Sequence, residues 1–133
     1  MEQAVRRLLL VLTLAGLLGA CATSVHEQGA WIQDTLYFGL SRPAGVVTEA
    51  EWKNFVDTEV TPRFPDGLTQ WQAQGQWRDA GRPVLHEDSR VLQIVHPADA
   101  DSETKIQAIR SDYKKQFQQS SVLRVKSVVA ADF

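Results

Sequence analysis

One stretch of the sequence, residues 68–78, constrains the fold more than any other. Polar side chains fill every second position of it, and the positions between hold aromatic or small residues. The polar set is Gln70, Gln72, Gln74, Gln76 and Arg78, and the other set is Trp71, Ala73, Gly75 and Trp77. Successive side chains of a β-strand point to opposite faces, so this period of two predicts a strand. We expect its tryptophan face to pack on a core and its glutamine face to be open.

Three further segments have the pattern of strands. Residues 35–40 alternate between apolar and other side chains. Residues 89–95 are mainly apolar with polar residues among them, and residues 122–129 form the last predicted strand. In the last segment we expect Leu123, Val125 and Val129 to face the core and Arg124 and Lys126 to face away from it.

Two helices are predicted between these strands. Thr48 with Glu51 three positions later forms a capping box, which opens a first helix that Pro62 ends. Residues 99–102 supply the start of a second helix, whose apolar stripe is Ile106, Ile109, Tyr113 and Phe117.

The order of elements is strand, helix, strand, strand, helix, strand, which is typical of the ferredoxin-like βαββαβ arrangement. This predicts an α+β fold with two helices on one face of a four-stranded antiparallel sheet. On the opposite face we expect Tyr37, the glutamine row, Arg78, Arg124 and Lys126, together with apolar residues of the third strand.

Length and composition limit the chain to one domain of ordinary globular type. It has 133 residues, of which 44% are hydrophobic and 23% charged. The 16 acidic side chains outnumber the 14 basic ones, which excludes a strongly basic nucleic-acid-binding protein.

The first 20 residues have the pattern of a signal peptide. Arg6 and Arg7 precede an apolar run at residues 8–18, which is interrupted only by Thr13. Such a run covers roughly 16 Å as a helix, about half of a hydrocarbon core of ~30 Å, so it is too short for a permanent membrane helix. We therefore divide the chain into a signal peptide at 1–20, a tether at 21–30 and one domain at 31–133.

The residues Leu18-Gly19-Ala20-Cys21 resemble the lipobox of bacterial lipoproteins. The resemblance implies that Cys21 is lipidated and that acyl chains such as palmitate bind the protein to a membrane. By resemblance to the sorting rules of enterobacterial lipoproteins, Ala22 rather than an aspartate after the cysteine implies the outer membrane, with the domain facing the periplasm. The alternative is an ordinary secretory signal in which the cysteine is coincidental.

Several phrases of the mature chain also resemble a known family. They are Tyr37-Phe38-Gly39, Thr61-Pro62-Arg63-Phe64-Pro65-Asp66-Gly67-Leu68-Thr69, Gly75-Gln76-Trp77-Arg78 and Phe117-Gln118-Gln119-Ser120-Ser121-Val122-Leu123. They resemble a bacterial lipoprotein family catalogued only as domain of unknown function 3574. Where that pattern leads us to expect a glutamate, this chain has Gln119 and Ser120. Because no activity is established for that family, the resemblance does not indicate an activity for this chain.

No catalytic, metal or cofactor motif is evident. His26, His86 and His96 are far apart, and neighbouring ligands in His86-Glu87-Asp88 would point in different directions. There is no Gly-x-Ser-x-Gly elbow and no phosphate loop. We therefore predict no cofactor, no metal and no catalytic residue.

The candidate ligand or partner surface consists of polar and aromatic side chains expected on the open sheet face or at one end of the sheet. They are Tyr37, Arg63, Gln74, Gln76, Arg78, Glu87 and Arg90. A solvated face, a dimer or partner surface, and a ligand groove remain open as interpretations of the glutamine row. Four of these side chains, Arg63, Arg78, Glu87 and Arg90, could meet at one end of the sheet and hold an anionic group.

Two functions follow as hypotheses. The preferred one is a lipid-anchored envelope protein whose domain binds itself or another envelope protein without catalysis. The alternative is a small enzyme of the dimeric α/β-barrel type, with a pocket lined by Tyr37, Gln74, Gln76, Arg78 and Tyr113.

Overall fold

Two long antiparallel strands form the centre of the fold. The computed structural model describes residues 30–78 and 80–133, and the predicted signal peptide and Cys21 lie outside this part. Strand β1 is Trp31–Gly39, and after two short strands, β2 (Ser41–Arg42) and β3 (Gly45–Val46), helix α1 covers Glu49–Phe55. Strand β4 is Thr69–Trp77, β5 is Leu85–Pro97, helix α2 is Ala100–Gln116, and β6 is Leu123–Val129.

The four long strands form one antiparallel sheet in the order β4-β5-β1-β6. The predicted α+β class, with a four-stranded antiparallel sheet and two helices, is confirmed. Both helices pack on one face of this sheet, because their buried residues share a single core with Leu36, Phe38, Leu92 and Ile94. Strands β1 and β5 are longer than the sequence pattern predicted, and the small β2–β3 hairpin was not predicted.

Both helices begin at the residues that the sequence indicated. The Thr48 hydroxyl accepts a hydrogen bond from the Glu51 amide at 3.3 Å, and the Glu51 carboxylate accepts one from the Thr48 amide at 2.8 Å. Asp99 caps α2 by accepting from the Ser102 amide at 2.7 Å. These contacts satisfy amide groups that a helix start leaves without an internal partner.

Helix α1 continues as a π-helical segment, Val56–Val60, before the chain turns at Pro62. The Thr61 amide donates to the Val56 carbonyl at 2.9 Å, one residue further back than in an α-helix. Val56 and Val60 are both buried. Both valines therefore face the core from this segment.

An aromatic cluster joins the helices to the sheet. Phe38, Trp52, Phe55, Tyr113 and Phe117 are each at most 1% exposed. The rings of Phe38 and Tyr113 lie 4.7 Å apart in an edge-on arrangement, as do those of Tyr113 and Phe117 in a tilted one. Rings at this spacing contribute more than their buried area alone.

The prediction of which face each edge strand presents to the core was wrong for β4. Gln70 pairs with Leu92, so the glutamines lie on the helix side of the sheet and the tryptophans on the opposite side. Trp71 and Trp77 are 42% and 44% exposed, and the Trp52 indole donates to the Gln70 side chain at 2.7 Å. Gln72, Gln74 and Gln76 are exposed on the helix side, so polar side chains suit these positions.

The same inversion holds for β6. Arg124 pairs with Leu36 and Lys126 with Asp34, which places both cations on the helix side, and Leu123 and Val125 lie on the other face. The reason is electrostatic, because Asp34 is buried on the helix side of β1 and needs a cation beside it.

Candidate functional site

The sheet face opposite the helices carries almost no charge. We call this surface the open face; it consists of the odd-numbered side chains of the four long strands. Its exposed apolar and aromatic members are Tyr37, Trp71, Trp77, Leu85, Leu123 and Val125. Among the described residues of these strands, Glu87 is the one charged side chain with this orientation. Sequence reasoning missed this surface because it assigned the tryptophans to the core.

One row of side chains crosses the whole open face at the same level. Trp71, Val91, Tyr37 and Leu123 are successive partners in the register of the four strands. Val91 is only 1% exposed although it lies on this face, since its two neighbours in the row are aromatic. The row forms a continuous apolar strip about four strands wide, or roughly 19 Å.

A two-stranded arm extends the open face beyond the body of the sheet. Pairing between β1 and β5 ends at Gly39 and Ser89, but β4 and β5 stay paired to Trp77 and Leu85. Trp77 and Leu85 are directly opposite each other and nearly half exposed. A hairpin with only two strands is marginally stable in water by itself.

The predicted surface residues do not gather in one place. Tyr37 lies on the open face, whereas Gln74 and Gln76 lie on the other side of the arm and Arg78 is exposed just beyond β4. The expected groove of glutamines together with Tyr37 is therefore not formed on a single face.

Two of the predicted arginines and the glutamate are engaged within the fold. Arg63 donates to Asp112 of α2 at 2.8 Å, and Arg90 forms an ion pair with Glu49. Glu87 accepts from the Ser41 amide at 2.8 Å. Arg63 follows α1, whereas Glu87 and Arg90 lie near the opposite end of that helix, so the four side chains expected to meet at one end do not.

Tyr113, the remaining member of the hypothetical enzyme pocket, is buried in the aromatic cluster. Its hydroxyl donates to the Gly39 carbonyl at 2.8 Å. Burial raises the pKa of this phenol well above its usual range, and the negative charge of Glu87 adds to the effect. A phenol in this setting holds the end of β1 in place and stays protonated.

A buried ionic network under the sheet was also missed. Asp34 is fully buried and accepts two hydrogen bonds from Arg124, at 2.6 and 2.7 Å, and one from His96 Nε2 at 2.8 Å. Burial alone would raise the pKa of Asp34, but the hydrogen bonds from Arg124 and His96 outweigh it and lower that pKa. The signal was present in the sequence, because Asp34 interrupts the apolar alternation of Ile32, Leu36 and Phe38.

The network continues to the protein surface through α2. Arg124 also donates to both oxygens of Glu103, at 2.6 and 2.9 Å, and Lys126 donates to Glu103 at 2.9 Å. The hydrogen bond from Arg124, followed by those from Gln107 and Lys126, holds the pKa of Glu103 far below its usual range. Every charge in this group has a partner, which indicates a structural role that fixes β6 against β1.

His96 completes this network from β5. Its Nδ1 lies 2.8 Å from the Pro97 carbonyl oxygen, and its Nε2 lies 2.8 Å from Asp34. These two contacts hold the imidazole between β1 and the end of its own strand. The Phe64 ring covers the imidazole at a centroid distance of 5.5 Å.

A cleft of about 760 Å³ lies next to this network. One wall is the loop at residues 63–69, which belongs to the Pro-Arg-Phe-Pro-Asp-Gly-Leu-Thr phrase, and the others include Trp31, Val95, Lys105 and Phe133. The turn in the loop depends on Gly67, whose φ of 144° is rare for residues with a side chain. The volume is sufficient for a small molecule.

Within the described ranges, no group of three or more His, Cys, Asp or Glu side chains is placed to hold a metal ion. Among the helices of this part of the chain, none has the length and apolar character needed to cross a membrane.

Two kinds of solved protein have a similar fold. A phage SAM lyase in complex with S-methyl-5'-thioadenosine superposes with a TM-score of 0.61 and 16% identity, covering 75% of this chain and 82% of the lyase. CutA from Synechococcus elongatus superposes with a TM-score of 0.51 and 10% identity, covering 76% of this chain and 78% of CutA. At these identities the similarity concerns the fold alone.

Comparison of the amino-acid sequence with known protein families identifies one family. No curated protein matches the chain. Residues 33–133 match the family described as "Protein of unknown function (DUF3574)", and they include β1 from its third residue, both helices and the remaining strands. The chain therefore belongs to this family of unknown function.

Proposed function

We propose that this protein is a lipid-anchored lipoprotein of the bacterial envelope, held at the outer membrane and facing the periplasm. Its domain at residues 31–133 has the ferredoxin-like arrangement and acts as a non-catalytic interaction module. The strand order β4-β5-β1-β6, with both helices on one face, favours this arrangement.

The open face supports the binding role. Large side chains such as Trp71, Leu123 and Val125 remain at least 42% exposed on a surface with a single charged residue. The centres of protein interfaces are depleted of charge and enriched in aromatic residues. A contiguous apolar patch of this kind usually marks a contact site.

The anchor is supported by the sequence of the first 21 residues. Its test is growth of cells with labelled palmitate, comparing the parent chain with Cys21→Ser. We expect label and membrane association in the parent and neither in the variant. Label that persists in Cys21→Ser would overturn the assignment of the acylated residue.

The binding role is tested by photo-crosslinking in cells with the full-length chain. A photoreactive amino acid replaces Trp71 on the open face, or Lys53 on the exposed side of α1 as the matched control. We expect a larger adduct from position 71 and none from position 53. Absence of any adduct from position 71 would contradict a binding role of this face.

The cleft favours a second candidate function, recognition of a small molecule. Its volume of about 760 Å³ and its mix of aromatic and charged walls are suited to such a ligand. S-methyl-5'-thioadenosine is a reasonable probe, since it is bound in a protein of similar fold. Titration calorimetry with the parent and with Lys105→Ala would support this candidate if binding weakens in the variant, and absence of heat would count against this ligand.

A further inference from the structure

We propose that the partner of the open face is a second copy of this chain, packed face to face about a two-fold axis. The inference rests on the proposed function, since it names the partner of the same surface. Three features of the described residues support it: the charge of the open face, the size of that face, and the two-stranded arm that extends it.

The charge distribution suits contact with an identical surface. A two-fold interface brings each surface region against the same surface of the partner, so charges near its centre tend to oppose copies of themselves. The central row of Trp71, Val91, Tyr37 and Leu123 is uncharged. Glu87, the single charge of the face, lies near its end, and its carboxylate accepts a hydrogen bond from Ser41.

The size of the face approaches that of a stable interface. Four strands of about nine residues each give roughly 600 Å² of flat sheet, before the relief of the side chains is added. Interfaces of standard size bury roughly 800 Å² on each partner. The flat sheet alone therefore supplies about three quarters of the area of a standard interface, and the relief of the side chains adds to it.

The arm adds a reason for a partner that covers the whole face. Trp77 and Leu85 extend the apolar surface beyond β1, and among the described strands only β4 and β5 pair with each other at this level. A second sheet packed on the open face would cover these two side chains and supply the support that a lone hairpin lacks.

A competing arrangement would pair the exposed edge of β6 with another β6. Unpaired edge strands offer backbone hydrogen bonds to other chains. Such pairing would leave Trp71 on the outermost strand away from the contact, because β4 is at the other edge of the sheet. The two arrangements therefore differ at position 71.

The experiment uses two full-length copies with different tags, produced in the same cells and extracted in mild detergent. Val125→Asp and Trp71→Asp place a charge on the open face at its two opposite edges. Val128→Asp is the matched control, because Val128 is on the same strand as Val125, is 74% exposed and lies on the other face. Circular dichroism of each variant verifies folding.

We expect one tag to co-purify the other in the parent and in Val128→Asp, and at least a tenfold loss in both open-face variants. Self-association that survives Val125→Asp and Trp71→Asp would overturn the face-to-face arrangement. If position 71 crosslinks only to a different protein, the inference fails and the proposed function stands. If position 71 crosslinks to nothing, both fail.

Discussion

Replacement of Asp34 by asparagine tests the buried ionic network directly. The carboxylate is fully buried and receives hydrogen bonds from Arg124 and His96, whose side chains are only 10% and 3% exposed. Asparagine would fit the space but would leave these groups without a counter-charge. Removal of one partner from a buried ion pair costs about 3–5 kcal/mol.

Urea unfolding of the full-length chain, followed by tryptophan fluorescence, measures this cost. With a slope of about 1–3 kcal/mol per molar urea, the midpoint should fall by roughly 2 M in Asp34→Asn. The control is Asp101→Asn, which breaks an exposed ion pair with Lys105 and should cost less than about 1 kcal/mol. If Asp34→Asn is no more destabilising than Asp101→Asn, the network does not hold the fold together.

The difference in unfolding free energy between the parent and Asp34→Asn should depend on pH. The pKa of Asp34 is lowered from its ordinary value of 3.8, so its ionised form stabilises the folded state at every pH above that value. This stabilisation is lost as the pH falls through the pKa of the folded state. The free-energy difference between parent and Asp34→Asn should therefore shrink as the pH falls below about 4. A difference that grows below pH 4 would refute the direction of the shift.

Three other substitutions test local features of the fold by the same unfolding assay. Thr48→Ala removes the cap of α1 and should cost about 1 kcal/mol, whereas an unchanged midpoint would mean that the capping box contributes little. Gly39→Ala would place a Cβ 2.6 Å from Glu87 Oε1 and displace that carboxylate from Ser41, so it should cost about 1 kcal/mol and less in a Glu87→Ala background. Trp52→Phe loses the hydrogen bond to Gln70 and buried volume, and we expect about 2 kcal/mol, against less than about 0.5 kcal/mol for the exposed Trp77→Phe.

The element order could be predicted because each element has a local signal. The capping box of Thr48 and Glu51, the helix start at Asp99 and the alternation in β4 are all properties of neighbouring residues. These signals depend on short-range hydrogen bonds and side-chain direction, which the sequence specifies within a few positions.

The faces of the edge strands could not be predicted in the same way. Which side of β4 meets the helices depends on its register with β5, and Gln70 rather than Trp71 is the residue that reaches Trp52. Hydrophobicity alone therefore predicted the wrong face of β4 to pack on the helices. For β6, the position of Asp34 contained the necessary information, since a buried carboxylate requires Arg124 on the same side.

The candidate surface was affected by the same error. Residues predicted to line it were selected for polarity, but Arg63 and Arg90 bind acidic residues of the helices and Gln76 lies on the helix side of the sheet. Tyr37 was placed on the open face correctly. The tryptophans of β4 that accompany it there had been assigned to the interior.

The geometry of β1 has a consequence for how the proposed anchor orients the domain. Trp31 begins β1 at one end of the sheet and the arm projects beyond Gly39 at the other, so the arm starts roughly 30 Å from the end of the domain that the proposed anchor precedes. In the proposed dimer, two molecules anchored in the same bilayer would have their first strands parallel. A two-fold axis parallel to these strands would place Trp71 of each molecule over strand β6 of its partner.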